Sequence, residues 1–589
     1  MSFALNGSTG TDFYKPGHGP LYPAGTERKY SNFTPRSAKN FLRSASCSSL
    51  YDNKVVNYGL TGTWQELVEL WDRTFFKRNK KKAIRELKRR FDNACGVDVV
   101  SIKQMAALHD VGFLPLTVLS IEEGLRVNIG IPLWVVYNSK EYPEHYWLVN
   151  YLETITSSYN WKSITNATIA YEYRRICEKW AALTCDDNSH VQFQCHDFSF
   201  RGMAGPEDAM RSGSAHLTSF SGTDTITAID YVEKLYGANS DKELVGASVT
   251  ATEHAVATAN ILFRLKQKLK AISGTEISHE MIDQLKLDCE REYILEVITQ
   301  KVKKGIISLV CDSFDFWGVI EKVLPSIRKE IESRMKNELG LAKVVVRPDS
   351  GDPVLVITGY RRSDLAEHTF ASEAEFFDYV ERFGVVNDVF DQEVVKVGGE
   401  WRKLDSMANM VADILGEVVP EVEVKGAVEA LWDSFGGTIN RKGYRVLNEY
   451  IGLIYGDSIT VERTERIFKR LADKGFASSN VVLGVGSFTY QYSTRDTFGM
   501  AMKATACEVQ HEFIELYKDP KTAASKKSAK GFLRVVRQGD DFVLEQEVEM
   551  DWDDLETGSG ELKPFFKNGE FTRKDTLVEI RQRINATFA

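Results

Sequence analysis

The chain has 589 residues, a formal net charge of −9, 43% apolar and 27% charged residues. That length exceeds a usual single core, so two or three domains are expected. The composition is ordinary for a globular protein, no apolar run is long enough for a membrane span, and the acidic balance gives no general attraction to polyanions, so neither a membrane nor a nucleic acid is an expected partner. The eight cysteines are scattered without a C-x-x-C pair, against a zinc ribbon or a disulfide framework. The start, MSFALNGSTGTDFYK, has no basic region followed by an apolar one, so a cytoplasmic protein is expected.

In chain order, a Gly-, Pro- and Tyr-rich arm containing TDFYKPGHGPLYP leads into a strand-like KYSNFTPR. Residues Thr63 to Phe91 have apolar positions at helical spacing and a basic outer face of the kind that is usually solvated. Short strand patterns follow, FLPLTVLSI and RVNIGIPLWVVYN, then two amphipathic helices. From His190 apolar runs alternate with helices, which predicts a parallel sheet or barrel. Several of these runs end in a polar cluster: HDFSFRG, CDSFD, RPDSGD, YGDS and GVGS. In a barrel such ends share one face, so the clusters would converge. Between Val356 and Val424 the alternation is interrupted by a segment read as mainly helical, with Ser372 and Glu375 at capping-box spacing.

The chemistry of these clusters suits a phosphorylated sugar. Arginines beside Gly-Ser turns satisfy phosphate oxygens, and Asp beside Gly at a strand end accepts from ribose hydroxyls. Arg347, Asp349, Gly456, Asp457, Gly486, Ser487 and Arg495 form that set. Each signal alone is weak, since a lone Gly-Asp is more often a turn. His254, behind Ser248, Thr250 and Thr252, is a candidate nucleophile or phosphate acceptor at a helix start, against the plainer reading of a capping or packed histidine.

TDFYK, YWLVNYLET, HDFSFRG, SAHL with GTDT, DSFD, RPDSGDP, YGDS, QYSTRD, KKSAKG and FKNGEFTRKD stand in the order and approximate spacing of one enzyme family, from about Thr11 to Arg583. By these motifs the chain resembles the nicotinamide phosphoribosyltransferases. The resemblance implies an α/β protein with the irregular α/β barrel of type II phosphoribosyltransferases, a second mixed α+β domain and a helical insertion. It implies nicotinamide and phosphoribosyl pyrophosphate as substrates, Mg²⁺ as cofactor, ATP as co-substrate, and a homodimer with shared active sites. The domains are expected as a mixed α+β domain at 1–189, a barrel from 190–355 and 425–510, an insertion at 356–424, and a segment at 511–589 packing back on the first domain.

Carried onto this sequence, Phe198 and Tyr14 resemble the two faces that sandwich the pyridine ring, Tyr14 from the partner subunit. Asp224 resembles the acid that accepts from the carboxamide N–H, which favours nicotinamide and repels nicotinate. Arg201 and Arg347 resemble arginines near ring and phosphates; Asp349, Gly456 and Asp457 resemble ribose and metal contacts, with Asp349 the metal ligand and Ser248 a further substrate contact. Gly486, Ser487 and Arg495 resemble the 5′-phosphate cradle, and Arg36, Lys503, Lys518 and Lys526 the pyrophosphate grip. His254 resembles the histidine phosphorylated during ATP hydrolysis, with Asp312 orienting it. Two features depart from the pattern: GVGSF replaces a Gly-Gly-Gly turn, and Tyr455 precedes Gly-Asp where glutamine is frequent. The insertion and the GVGSF turn motivate one rival, an ADP-ribose pyrophosphate donor giving NAD directly; two others stand beside it, a nicotinate enzyme, which Asp224 disfavours, and a nicotinamide-binding protein without turnover, against which Asp349, Arg495, His254 and Asp224 speak.

Overall fold

A computed structural model describes residues 5–272, 277–383, 392–405, 414–518, 529–545 and 549–588. They form two compact units, the first Met1–Glu172, Ser199–Gly246 and Ser487–Ala589, the second Tyr173–Phe198 and Ala247–Gly486.

The first unit is built on a seven-stranded antiparallel sheet. Its order is Glu512–Glu515, Ala501–Val509, Thr26–Thr34, Trp134–Asn138, Leu116–Ser120, Lys563–Lys567 and Glu570–Phe571. The strand-like KYSNFTPR lies at its centre, where Phe33 stacks on Trp134 with ring centroids 5.1 Å apart. C-terminal residues enter the same sheet because Lys563–Lys567 pairs with Leu116–Ser120. The basic stretch forms two helices, Leu60–Trp71 and Lys80–Cys95.

Residues 199–246 fold with this unit, although the sequence pattern assigns them to the barrel span. Their helices, Pro206–His216 and Ile226–Leu235, bury Ala215, Ala228, Val232 and Leu235 in one core with Leu577, Ile580 and Ile584 of the last helix. That helix, Leu577–Asn585, starts at a Thr576–Glu579 capping box.

The second unit carries six parallel strands in the order Cys195–Asp197, Val481–Val485, Ile451–Tyr455, Val344–Arg347, Ile307–Val310 and Thr250–Ala251. It is an α/β half-barrel: among the described residues, no backbone pairing joins the two edge strands. Short β-branched runs followed by helices give parallel strands because each return needs a crossover.

Among its described residues the insertion is not mainly helical. A four-stranded sheet, Arg361–Arg362, Glu393–Val397, Glu400–Leu404 and Leu415–Val419, accompanies the helix Glu373–Phe383. EVVKV and LGEVV carry β-branched residues that favour strands once a neighbour covers one face. Val395, Val397 and Leu404 bury against Phe376 and Val380 of that helix. The helix start does follow the expected spacing: Ser372 Oγ accepts from Glu375 N at 3.3 Å, and Glu375 Oε2 accepts from Ala371 N at 2.7 Å. Among the described residues no helix is long and apolar enough to cross a membrane.

Candidate active site at the strand ends

Parallel strands deliver their C-terminal ends to one edge, and in the second unit this edge carries the chemistry. His254 opens the helix His254–Ala271 just past Thr250–Ala251. Its Nε2 lies 3.0 Å from Asp312 Oδ1, beyond Ile307–Val310. Asp312 Oδ2 accepts from Asp349 N at 2.9 Å and from Ser350 Oγ at 2.7 Å, both beyond Val344–Arg347. Three neighbouring strand ends are thus tied through one carboxylate. A carboxylate only accepts, so Nε2 carries the imidazole proton and Nδ1 is left as the basic nitrogen.

Arg347 Nη2 donates to Thr252 O at 2.7 Å, while its buried Nε has no hydrogen-bond partner among the described residues. A fixed cation with an unsatisfied donor is the arrangement an anion completes. Burial raises the Asp349 carboxyl above the usual range against the opposing pull of Arg347; Asp312 and Asp457 raise it further and His254 lowers it. Glu290, within electrostatic reach of Asp312, is pushed up to about 8 by burial and then by Asp315 and Asp312. Held neutral, it adds no further negative charge to the group.

Phe198 donates its backbone N–H to Val485 O at 2.9 Å, and its ring covers the ends of two strands. A Cβ at Gly484 would overlap the ring, and one at Gly456 would lie 3.0 Å from its Cε2. Glycine is required for this close approach at 484 and favoured at 456, which gives Gly-Asp at 456–457 a packing reason beyond a generic turn. Asp457 Oδ2 accepts from Ser458 Oγ at 2.9 Å, and Ser458 is held at φ 55°. Gly486, just past Val485, has open space where a Cβ would stand. Ser248 lies two residues before the edge strand and is exposed.

The remaining residues belong to the first unit. Arg36 and Lys503 lie on neighbouring segments of the antiparallel sheet: Arg36 Nε donates to Gly499 O at 2.8 Å, and Lys503 pairs with Asn32. Arg495, exposed, sits in the turn Arg495–Thr497, whose Asp496 carbonyl accepts from Asn40. Ser487 packs against Gly202, next to Arg201; a Cβ at Gly202 would overlap its hydroxyl. Asp224 is exposed in a turn fixed by His216, whose Nε2 lies 2.9 Å from Gly222 O and Nδ1 2.6 Å from Tyr490 OH. Tyr14 is 61% exposed on an arm anchored by Lys15 to Glu153 at 2.5 Å. Lys518 is described, and Lys526 lies outside the described residues.

Sequence reasoning missed the supports. Ser350 stands in RPDSGD without a role, Thr252 only among the residues before His254, and Tyr455 only as a departure. Its hydroxyl reaches the Ser350 and Gly351 carbonyls at 2.9 and 2.8 Å, bracing the loop that binds Asp312. His216 stood in the SAHL motif without a role. Apart from Gly222, their partners lie on other strands or loops, from 38 residues away for Ser350 and Asp312 to 274 for His216 and Tyr490, so spacing carries no sign of them.

A parallel half-barrel of this kind, bearing Asp and Arg at consecutive strand ends, is structurally like the type II phosphoribosyltransferases. The crystal structure of human Nicotinic Acid Phosphoribosyltransferase matches it with a TM-score of 0.51 at 14% identity, covering 98% of this chain and 93% of that one. The chain belongs to the nicotinate phosphoribosyltransferase (NAPRTase) family, whose sequence profile matches residues 193–556. It is 41% identical over 586 residues to the Nicotinamide phosphoribosyltransferase of Acinetobacter baylyi, 99% of this chain and 98% of the relative. It is 28% identical over 546 residues to that of Mycoplasma genitalium, 91% of this chain and 97% of the relative.

Proposed function

We propose that this protein condenses nicotinamide with 5-phosphoribosyl 1-pyrophosphate, giving nicotinamide mononucleotide and pyrophosphate for NAD salvage, and couples the reaction to ATP hydrolysis through a phosphohistidine at His254. The activity is supported by near full-length identity to the Acinetobacter relative. The observation that carries the coupling is the chain from His254 through Asp312 to Asp349 and Ser350. We take the half-barrel as the irregular barrel of type II phosphoribosyltransferases and the first unit as their mixed domain.

The transfer breaks the C1–O bond to pyrophosphate through an oxocarbenium-like state and forms the bond from C1 to the pyridine nitrogen. The protein's work is to hold the base in line and stabilise the departing charge. Phe198 stacks one face of the pyridine ring, Asp224 accepts from the carboxamide N–H, and Asp457 holds ribose hydroxyls. Arg347 binds phosphate through its guanidinium; Arg201, Ser487, Arg495, Ser248 and Gly486 complete the substrate contacts, and Arg36, Lys503, Lys518 and Lys526 take the pyrophosphate.

The donor set fits Mg²⁺, which prefers carboxylate oxygens together with substrate phosphates. Among the described residues, no three of the strand-end acids lie close enough to cage a metal by themselves. Asp349 and Asp457 would therefore hold the ion jointly with phosphate, where it supplies charge neutralisation for the leaving group.

In the coupling step Nδ1 of His254 attacks the γ-phosphorus of ATP, the bond to the β,γ-bridging oxygen breaks, and ADP leaves. Asp312 keeps the proton on Nε2 and stabilises the cationic phosphoimidazole. The working form is read as a homodimer in which the Tyr14 arm completes the neighbouring copy's site.

The test is product analysis by mass spectrometry with Mg²⁺, ATP and equal nicotinamide and nicotinic acid. One reaction receives phosphoribosyl pyrophosphate and another ADP-ribose pyrophosphate. Nicotinamide mononucleotide in the first is expected; NAD formed only in the second would overturn the donor assignment.

A further inference from the structure

In the antiparallel sheet of the first unit, Thr26 pairs with Val509 and Arg28 with Glu508, which leaves Glu27 as the extra residue of a β-bulge. A bulge re-aims a side chain, and the Glu27 carboxylate comes to the turn that joins Ala501–Val509 to Glu512–Glu515. That turn is Gln510-His511, at φ 52° and 64°, between the paired Val509 and Glu512. A two-residue turn with both central residues left-handed favours Asn-Gly, because a Cβ is crowded there. The chain sets a histidine at the second position instead. His511 Nδ1 lies 2.9 Å from Glu27 Oε2 and 3.9 Å from Glu508 Oε1.

The three donor atoms all lie within 4.8 Å of one another. Donors held at ~2.1 Å by a tetrahedral zinc ion stand roughly 3.4 Å apart, a spacing that 2.9 and 3.9 Å bracket. Both carboxylates are partly buried, while the imidazole is 86% exposed, so solvent reaches the coordination positions that the protein does not fill. Arg28 also meets this group: its Nε lies 3.7 Å from Glu508 Oε2, beyond hydrogen-bond length, and its guanidinium lies over the Trp552 ring. It therefore offsets one of the two negative charges and leaves Glu508 Oε1 to face His511. Lys29, one residue on, points to the opposite face, over Tyr22. A net negative charge remains for a cation.

An imidazole with two carboxylates suits zinc, whereas Mg²⁺ and Ca²⁺ take oxygen donors. We propose that Glu27, Glu508 and His511 form a zinc site that clips this turn to the start of the central strand, with water completing the coordination. Zinc takes Nδ1 of the neutral imidazole, whose proton stays on the exposed Nε2. The site is independent of the transferase reading. The clipped hairpin carries Lys503 on one strand, and Lys518 follows the other.

The test titrates Zn²⁺ or Mg²⁺ into chelator-treated full-length protein by calorimetry, and follows melting and amide hydrogen exchange. Zn²⁺ is expected to bind in preference to Mg²⁺, to raise Tm by roughly 2–4 °C at a hundredfold excess over its Kd, and to slow exchange at Gln510 and His511. His511→Gly and Glu27→Gln should each weaken that binding at least about tenfold. Glycine suits φ 64°, so the metal-free His511→Gly protein should melt no lower than the parent, which separates loss of a ligand from misfolding. If it does melt lower, Glu27→Gln decides. Zn²⁺ affinity unchanged in both variants, binding no stronger than that of Mg²⁺, or a turn left unprotected by Zn²⁺ would each overturn the proposal and reduce the cluster to an ion pair.

Discussion

The two large sheets each desolvate an ionisable group, Asp349 in part and Lys29 fully, and they treat it differently. In the parallel sheet every strand finishes on one edge, so Asp349 is met by Arg347 of its own strand and by Asp312 and Asp457 from the two adjacent strands. In the antiparallel sheet neighbouring ends point opposite ways, and Lys29 sits within a strand, fully buried, with no hydrogen-bond partner among the described residues for its Nζ. The Tyr22 ring, 4.2 Å away, offers it a π face. Burial, with Lys15 adding and Glu153 opposing, brings the Lys29 amine down to about 7. A parallel topology turns the cost of burying charge into a site, whereas the same cost inside an antiparallel strand is borne without one.

Replacing Asp349 tests the first half of that contrast. Asp349→Asn should lower kcat/KM by on the order of 10²–10³-fold, as for loss of a preorganised transition-state contact. Because its folded pKa is raised, ionisation destabilises the native state as pH climbs through the carboxylate range, and the penalty is complete above the folded pKa. The variant should therefore melt higher than the parent at neutral pH and lose that advantage near pH 4, where calorimetry would find the two alike. Equal melting at neutral pH would mean that Asp349 is not strained by its neighbours.

His254→Ala should remove ATP hydrolysis and its stimulation of synthesis while slow basal transfer persists. Full ATP coupling in that variant, followed by phosphate release, would dismiss the phosphohistidine. Asp224→Ala should reduce the preference for nicotinamide over nicotinic acid by roughly tenfold, the value of one hydrogen bond to a charged group. An unchanged ratio in competition assays would show that Asp224 does not read the amide.

Lys29→Met probes the other sheet. At pH values below about 7 the parent carries the buried charge in full, and as pH rises from there toward the ordinary lysine range the native amine is already neutral and the penalty declines. The variant should raise Tm by roughly 2–4 °C at neutral pH, with the gain shrinking toward pH 10. A gain that does not vary with pH would point to packing instead of charge. The smallest effect is expected from deleting Asp364 to Val419 with a short linker. The insertion carries its own core around Phe376 and Val395, so product formation should change less than about twofold. Aggregation of the deletion protein would show that this core is not independent.

How much was legible follows from what each residue needs. Alternating apolar runs and helices pointed to a parallel α/β region, and Asp or Gly-Asp after a β-branched run marked the strand ends, because a strand's last residue is a local property of the chain. The resemblance in ordered motifs identified His254, Asp312 and Asp349 together. The insertion was misread because EVVKV and LGEVV become strands only when a neighbour covers one face, while the helix at Glu373–Phe383 is declared locally by its Ser372 cap.

By itself, then, the sequence determined the family, the strand-and-helix alternation and the identity of the polar strand ends, all of which depend on local periodicity and on motif order. Tertiary structure alone decided that residues 199–246 join the first unit, that Asp312 ties three strand ends together, and that Tyr455 braces the Ser350 loop. Those depend on which distant segments bury the same apolar face, a choice made by the packing of the whole chain and written in no short stretch of it.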